Sequence, residues 1–160
     1  MASVGFRIPG NVTVHEDNPG KKFTTEEIFA GKKVVLFGVP GAFTPGCSKT
    51  HLPGYIADYQ KFKDKGVDEI ICVSVNDPFV TGAWAEAHNA AGKVRVLADV
   101  NAELAKALGV DIDLTAVLGS VRSKRYSAYV VDSEIKVWNV EADGTGLTCS
   151  LANGLLAQIN

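Results

Sequence analysis

No stretch of this chain approaches the roughly 20 consecutive apolar residues that a membrane-spanning helix requires. A surplus of basic charge is missing too: 16 Lys and Arg stand against 18 Asp and Glu, a net charge of −2. Nucleic-acid binding therefore has little electrostatic support. The N-terminal "MASVGFRIPG" shows neither the apolar centre of a secretory signal nor an Arg-rich amphipathic pattern. Cysteine is sparse. The three thiols, Cys47, Cys72 and Cys149, form no C-x-x-C pair, which leaves a zinc site or a paired dithiol motif without local support. An odd count also argues against the disulfide framework of a secreted protein. The expected setting is intracellular with reduced thiols and no metal; cytosol, mitochondrion and peroxisome are left open. Internal repeats, low-complexity runs and linkers are absent as well.

What is present is a core-forming composition. Hydrophobic residues make up 46% of 160, enough for one domain over residues 1–160 without metal or disulfide staples. Residues 12–15 read as a short strand. "TTEEIFAG" carries a capping box, Thr24 with Glu27, and stops at Gly31. "KKVVLFGV" and "EIICVSVN" are β-branched runs suited to strands buried on both faces. Residues 47–65 read as a helical stretch broken or bent at Pro53 and stopped by Gly66. "DPFVTGAWAEAHNA" offers Asp77 as cap and Pro78 at the first helical position. "VRVLAD" is strand-like, and "NAELAKALGV" is a capped helix. After a loop, "YSAYVVD" and "IKVWNVE" form a hairpin around Asp132-Ser133, and "SLANGLLAQI" closes as a helix. Alternating strand and helix implies parallel pairing, and the hairpin adds antiparallel strands. The expectation is an α/β fold, a mixed central sheet flanked by helices.

The stretch "GVPGAFTPGCSKT" joins a strand to a helix start and half-fits a phosphate-binding loop. It lacks the lysine that such a loop needs and offers Cys47 and Ser48 instead. In the first helical turn, unpaired N–H groups and the helix dipole favour a negative charge, so the loop suits a thiolate. Thr44, three residues earlier, can place its hydroxyl on the sulfur. Gly41 and Gly46 allow close backbone approach to a small ligand. His51, four residues on, reads either as a helix-surface or supporting residue or as half of a Cys–His nucleophile pair. Arg122, Lys124 and Arg125 read either as a solvated basic edge or as the source of one arginine that folds back onto the Cys47 loop. Cys72, inside an apolar strand, reads as a small buried hydrophobe.

The octapeptide "PGAFTPGC", residues 40–47, contains the Pro-x-x-x-Thr-x-x-Cys motif of peroxiredoxins. With "SKTHLPGY", "SVNDPFV", "VRVLAD", "KRYSAYVV" and "NVEADGTGLTCSLA", the chain resembles the type 5 peroxiredoxins of animals over residues 7–156. The resemblance implies a thioredoxin-like fold. It also implies thiol-dependent reduction of hydrogen peroxide, alkyl hydroperoxides and peroxynitrite through a sulfenic acid and an intramolecular disulfide, with thioredoxin as reductant. By the same resemblance Cys47 is the peroxidatic cysteine, with Thr44 beside it, Pro40 shielding the pocket and Arg125 as the active-site arginine. Cys149 matches the resolving cysteine. Cys72 is its rival, standing where related plant enzymes carry their second cysteine. Gly46 and Cys47 supply backbone N–H groups to substrate, and Leu118 stands at the hydrophobic rim in place of a bulky aromatic. The family needs no metal or organic cofactor and suggests a loose homodimer. Two other readings stand beside it: a peroxide-sensing interaction protein with little turnover, and a Cys–His hydrolase.

Overall fold

The structure is a computed structural model and describes residues 2–160. The chain runs through β1 (Thr13–Glu16), β2 (Asn18–Thr24), α1 (Thr25–Phe29) and β3 (Lys33–Val39), then a π-helical turn (Cys47–His51) that leads into α2 (Leu52–Ala57). There follow α3 (Tyr59–Asp64), β4 (Glu69–Ser74), α4 (Pro78–Ala87), β5 (Val94–Ala98) and α5 (Glu103–Ala107). The last part holds β6 (Asp111–Asp113), α6 (Thr115–Leu118), β7 (Val121–Ser123), β8 (Tyr126–Val131), β9 (Glu134–Val140) and α7 (Ala152–Gln158).

The main sheet has the order β2-β1-β5-β4-β3-β8-β9. Its centre, β5-β4-β3, is parallel, and β8 runs antiparallel to β3. This is the mixed sheet that alternating elements followed by a hairpin lead one to expect. The Asp132-Ser133 turn joins β8 to β9, and both residues take positive φ (46° and 68°), as a tight hairpin turn demands. In β3, Val34 and Leu36 enter one core while Val35, Phe37 and Val39 enter the other. Burial on both faces explains why that strand reads as an unbroken apolar run. The second core holds Phe37, Leu52, Tyr55, Cys72 and Trp84, and Cys47 lies among them. The C-terminal end of central β3 thus delivers the chain into the cysteine loop, at the edge where open α/β sheets build their sites.

The structure differs from the expectation in three places. β2, "NPGKKFT", was not foreseen: it is mostly exposed, holds Pro19 and two lysines, and lies at the sheet edge, where no apolar alternation is needed. The stretch read as a loop before β8 contains α6 and a small β6–β7 hairpin. The capping of α5 comes from Asp99, whose carboxylate accepts from Leu104 N (3.0 Å) and Ala105 N (2.9 Å). No helix among the described residues is long and apolar enough to cross a membrane.

Asp99 is buried, so Asp99→Ala strands two N–H groups away from water. The expected loss is about 1–3 kcal/mol of stability, seen as a lower urea midpoint at unchanged slope. An unchanged midpoint would show that the helix start finds other partners.

Candidate active site

Helical backbone begins at Pro45 and Gly46, with Pro45 in the first-turn position that needs no N–H donor. The Thr44 carbonyl accepts from Ser48 N at 3.0 Å. The turn then widens: Leu52 N bonds to the Cys47 carbonyl across a π turn. Pro53 supplies the cause. It has no N–H to give the Lys49 carbonyl, and its ring would clash with that oxygen in a regular helix. The break expected at Pro53 is therefore a change of helical pitch just before it. In the widened turn Cys47 and His51 both face the core, while Ser48 Oγ accepts from Trp84 Nε1 on α4 at 2.9 Å.

Cys47 is fully buried. Thr44 Oγ1 lies 2.9 Å from Cys47 Sγ and 2.7 Å from the Gly41 carbonyl. That hydroxyl has one proton. Facing a thiolate it donates to sulfur; facing a thiol it accepts the S–H and turns its own proton to Gly41. Thr44 also lines a pocket of about 320 Å³ that includes Pro40, Gly46, Leu118 and Arg125. Leu114, Val117 and Leu118 give one side an apolar wall. A larger cleft of about 430 Å³ lies between Glu16, Asp17, Asn89 and Arg95, and it holds no thiol.

Arg125 is only 3% exposed, so the solvated-edge reading does not hold for it. Its Nε donates to the Thr145 carbonyl (3.3 Å) and its Nη1 to His51 Nδ1 (3.1 Å). Nη2 has no hydrogen-bond partner among the described residues and lies against Gly46, where an added Cβ would come within 3.1 Å of it. Arg122 acts as a clamp, donating to the Pro40 carbonyl (3.2 Å) and the Leu118 carbonyl (3.0 Å). A Cβ at Gly41 would fall 2.6 Å from Arg122 Nη1, so only glycine admits the clamp.

His51 is fully buried, not on a helix surface. Its Nε2 donates to the Ser150 carbonyl at 3.0 Å, which leaves Nδ1 bare to accept from Arg125. Burial and the Arg125 charge lower its pKa to about 3, so it is neutral at ordinary pH. It touches the arginine rather than the sulfur, an arrangement unlike a Cys–His nucleophile pair.

The structure thus brings Cys47, Thr44, Pro40, Gly46, Leu118 and Arg125 together. It leaves Cys149 apart: all three thiols are free, and Cys149 is exposed while Cys47 and Cys72 are buried. Burial pushes the Cys72 thiol well up, with a further push from nearby Cys47. Cys149 is also raised, by partial burial and by the Glu141 carboxylate. Sequence reasoning missed Glu141. Hydrogen bonds from Ser150 and Thr148 overcome its burial and hold its carboxyl at about 2. The hydroxyls of "LTCS" were the available signal.

A family model described as Redoxin matches residues 3–156. Peroxiredoxin-2F, a mitochondrial protein of Arabidopsis thaliana, is 44% identical over 147 residues, covering 90% of this chain and 73% of that protein. The chain belongs to the peroxiredoxin family. Among solved structures, reduced Prx3 of Vibrio vulnificus in complex with H2O2 is 43% identical with a TM-score of 0.92, each chain fully covered. Peroxiredoxin 5 of Alvinella pompejana is 40% identical with a TM-score of 0.87, covering 99% of this chain and 98% of that one. The fold is accordingly thioredoxin-like. Peroxiredoxins from plant and bacterial sources match alongside a type 5 member, so the likeness reaches the family and not one subtype.

The neutral histidine has a consequence for acid stability. The folded pKa of about 3 lies below the ordinary 6.5. Between those values the unfolded chain binds a proton that the folded chain refuses. The His51 contribution is therefore whole above pH 6.5 and is lost as pH falls toward 3, by up to about 1.4 kcal/mol per pH unit. Urea titrations at pH 7, 5.5 and 4.5 should show that slope, and His51→Phe should flatten it. Equal slopes in both proteins would mean that His51 titrates normally.

Proposed function

We propose that this chain is a thioredoxin-dependent peroxidase with Cys47 as the attacking thiol. The observation that carries this reading is Thr44 Oγ1 at 2.9 Å from Cys47 Sγ, beside an Arg125 Nη2 that has no hydrogen-bond partner among the described residues. The thiolate attacks one peroxide oxygen in line with the O–O bond. The S–O bond forms as the O–O bond breaks, and the second oxygen leaves with the electron pair as hydroxide, as alkoxide or, from peroxynitrite, as nitrite. Arg125, Thr44 and the backbone N–H groups of Gly46 and Cys47 face the charge that develops there. Hydrogen peroxide, alkyl hydroperoxides and peroxynitrite all carry the bond that this step needs, and the apolar wall of Leu114, Val117 and Leu118 suits an alkyl group. The H2O2 held by the Vibrio vulnificus relative supports the same chemistry.

Cys47→Ser should abolish peroxide consumption with the fold retained. Arg125→Ala should slow Cys47 oxidation by about 10²–10³-fold while sparing later reduction by dithiol. Stopped-flow peroxide mixing and steady-state turnover with thioredoxin check both. Turnover by Cys47→Ser removes the assignment, and oxidation without catalytic turnover would favour a sensing role.

The finer reading is the two-cysteine cycle of type 5 members. A thiol at Cys149 attacks the Cys47 sulfenic sulfur, an S–S bond forms and water leaves. A disulfide requires Cα atoms within about 7 Å, while one of these thiols is buried and the other exposed. In this reading the first helical turn and the Cys149 loop both open to let the two sulfurs meet. Cys72, on central β4 between β3 and β5, has no such freedom. Peptide mapping after one equivalent of peroxide should recover Cys47 joined to Cys149 within one chain. A dominant Cys47–Cys72 bond, or full thioredoxin-linked turnover in Cys149→Ser, would transfer the role.

A further inference from the structure

Glu141 follows directly after β9, is only 2% exposed, and does not line the active-site pocket. Its carboxylate accepts from five donors on a three-residue segment. These are Thr148 N (2.9 Å), Thr148 Oγ1 (2.5 Å), Cys149 N (2.9 Å), Ser150 N (2.9 Å) and Ser150 Oγ (2.6 Å). Charge-assisted bonds of this kind are the strong ones. Together they fix the direction of the Ser150 carbonyl. That carbonyl accepts from Tyr55 Oη (2.8 Å) and from His51 Nε2 (3.0 Å). A carbonyl can only accept, so it selects the Nε2–H tautomer of His51. Nδ1 is then an acceptor, and it takes Nη1 of Arg125.

The second acceptor on Arg125 is the Thr145 carbonyl, in a turn whose N–H groups at Thr145 and Gly146 bond to Asp143. Both supports of the guanidinium therefore lead to carboxylates near the start of one loop, residues 141–150. Arg125 makes no ion pair of its own among the described residues. Its orientation rests on neutral acceptors that others hold in place.

We propose that Glu141 is a positioning residue for peroxide reduction, setting Arg125 through the Ser150 carbonyl and the His51 tautomer. This rests on the peroxidase reading above and adds a residue that touches neither peroxide nor Cys47. It also ties the two halves of the cycle together. Residues 148–150 carry Cys149, so the segment that must move to close the disulfide is the one that holds the arginine. Opening it removes the partner of His51 and releases Arg125 once the first step is over.

The test is Glu141→Gln, which keeps the size but removes the charge and turns an NH2 toward N–H donors. The first readout is the 15N spectrum of the reduced, histidine-labelled protein. The wild type should show one fixed His51 tautomer, with Nδ1 unprotonated; Glu141→Gln should show mixed tautomers. The second is single-turnover oxidation of Cys47 by hydrogen peroxide, without reductant. Glu141→Gln should slow it about tenfold or more, and should add nothing when Arg125 is already Ala, because the two act as one unit. An unchanged His51 spectrum with an unchanged rate overturns the proposal. So does a Glu141→Gln penalty of the same size in the Arg125→Ala background. If Glu141→Gln does not fold, Thr148→Ala with Ser150→Ala removes the two hydroxyl donors and keeps the carboxylate, and the same outcomes decide. Should the wild type itself resist peroxide, the peroxidase reading fails by that result alone. The His51 spectrum still reports whether Glu141 sets the tautomer.

Discussion

Arg125 brings a permanent positive charge into a region almost closed to water, and much of the surrounding chain is arranged by that fact. Burying an ion without compensation costs several kcal/mol. The common solution is a carboxylate in direct contact. Here the guanidinium is held by a carbonyl and a neutral imidazole, so its charge is not cancelled at short range. The field stays available to the pocket that Arg125 lines beside Cys47. A protonated His51 would repel the arginine and could not accept its proton. Burial first, and the neighbouring arginine second, thus hold the histidine pKa down. Arg122, on β7, shows the alternative use of the same side chain: its two terminal nitrogens donate to the Pro40 and Leu118 carbonyls and hold backbone in place.

What the sequence could convey depended on distance along the chain. Pro40, Thr44, Gly46 and Cys47 fall within eight residues, so local turn chemistry already suggested a thiolate loop. The hairpin at Asp132-Ser133 and the Thr24–Glu27 capping box were legible for the same reason, and both are formed. The choice between Arg122 and Arg125 rested on family likeness, because both stand before one strand and only the fold shows which guanidinium turns inward. His51 was harder. Helical periodicity placed it on one face with Cys47 but could not say that the turn widens and that the face is buried. Glu141 left almost no local mark: its partners lie seven to nine residues ahead, in a segment without regular structure. Edge strand β2 lacked the alternation that burial of one face would impose.

The three thiols occupy graded surroundings that divide their chemistry. Cys47 touches a hydroxyl and stands beside an arginine-lined pocket. Cys72 shares the same core but sits in a central strand, where desolvation holds it as a thiol. Cys149 reaches solvent, yet partial burial and the nearby Glu141 carboxylate disfavour its thiolate while the loop is closed. Moving the loop away from Glu141 relieves that electrostatic penalty. In the proposed two-cysteine cycle, proximity to the oxidised sulfur and nucleophilic strength of Cys149 are therefore gained by the same motion.

The π turn ahead of Pro53 separates two helical segments that a regular helix would merge. Because Pro53 withholds its N–H, the turn at residues 47–51 is not bound into the ladder of α2 by a full set of backbone bonds. In helix–coil terms, α2 is a nucleus from which a turn at residues 47–51, once opened, can regrow. Fraying from an existing nucleus avoids the nucleation cost, and regrowth proceeds on the order of nanoseconds per residue. In the proposed cycle, once a reductant frees Cys47, re-forming its turn needs no search for a new helix start, and the interval before the thiol meets another peroxide is governed by encounter and thiol exchange.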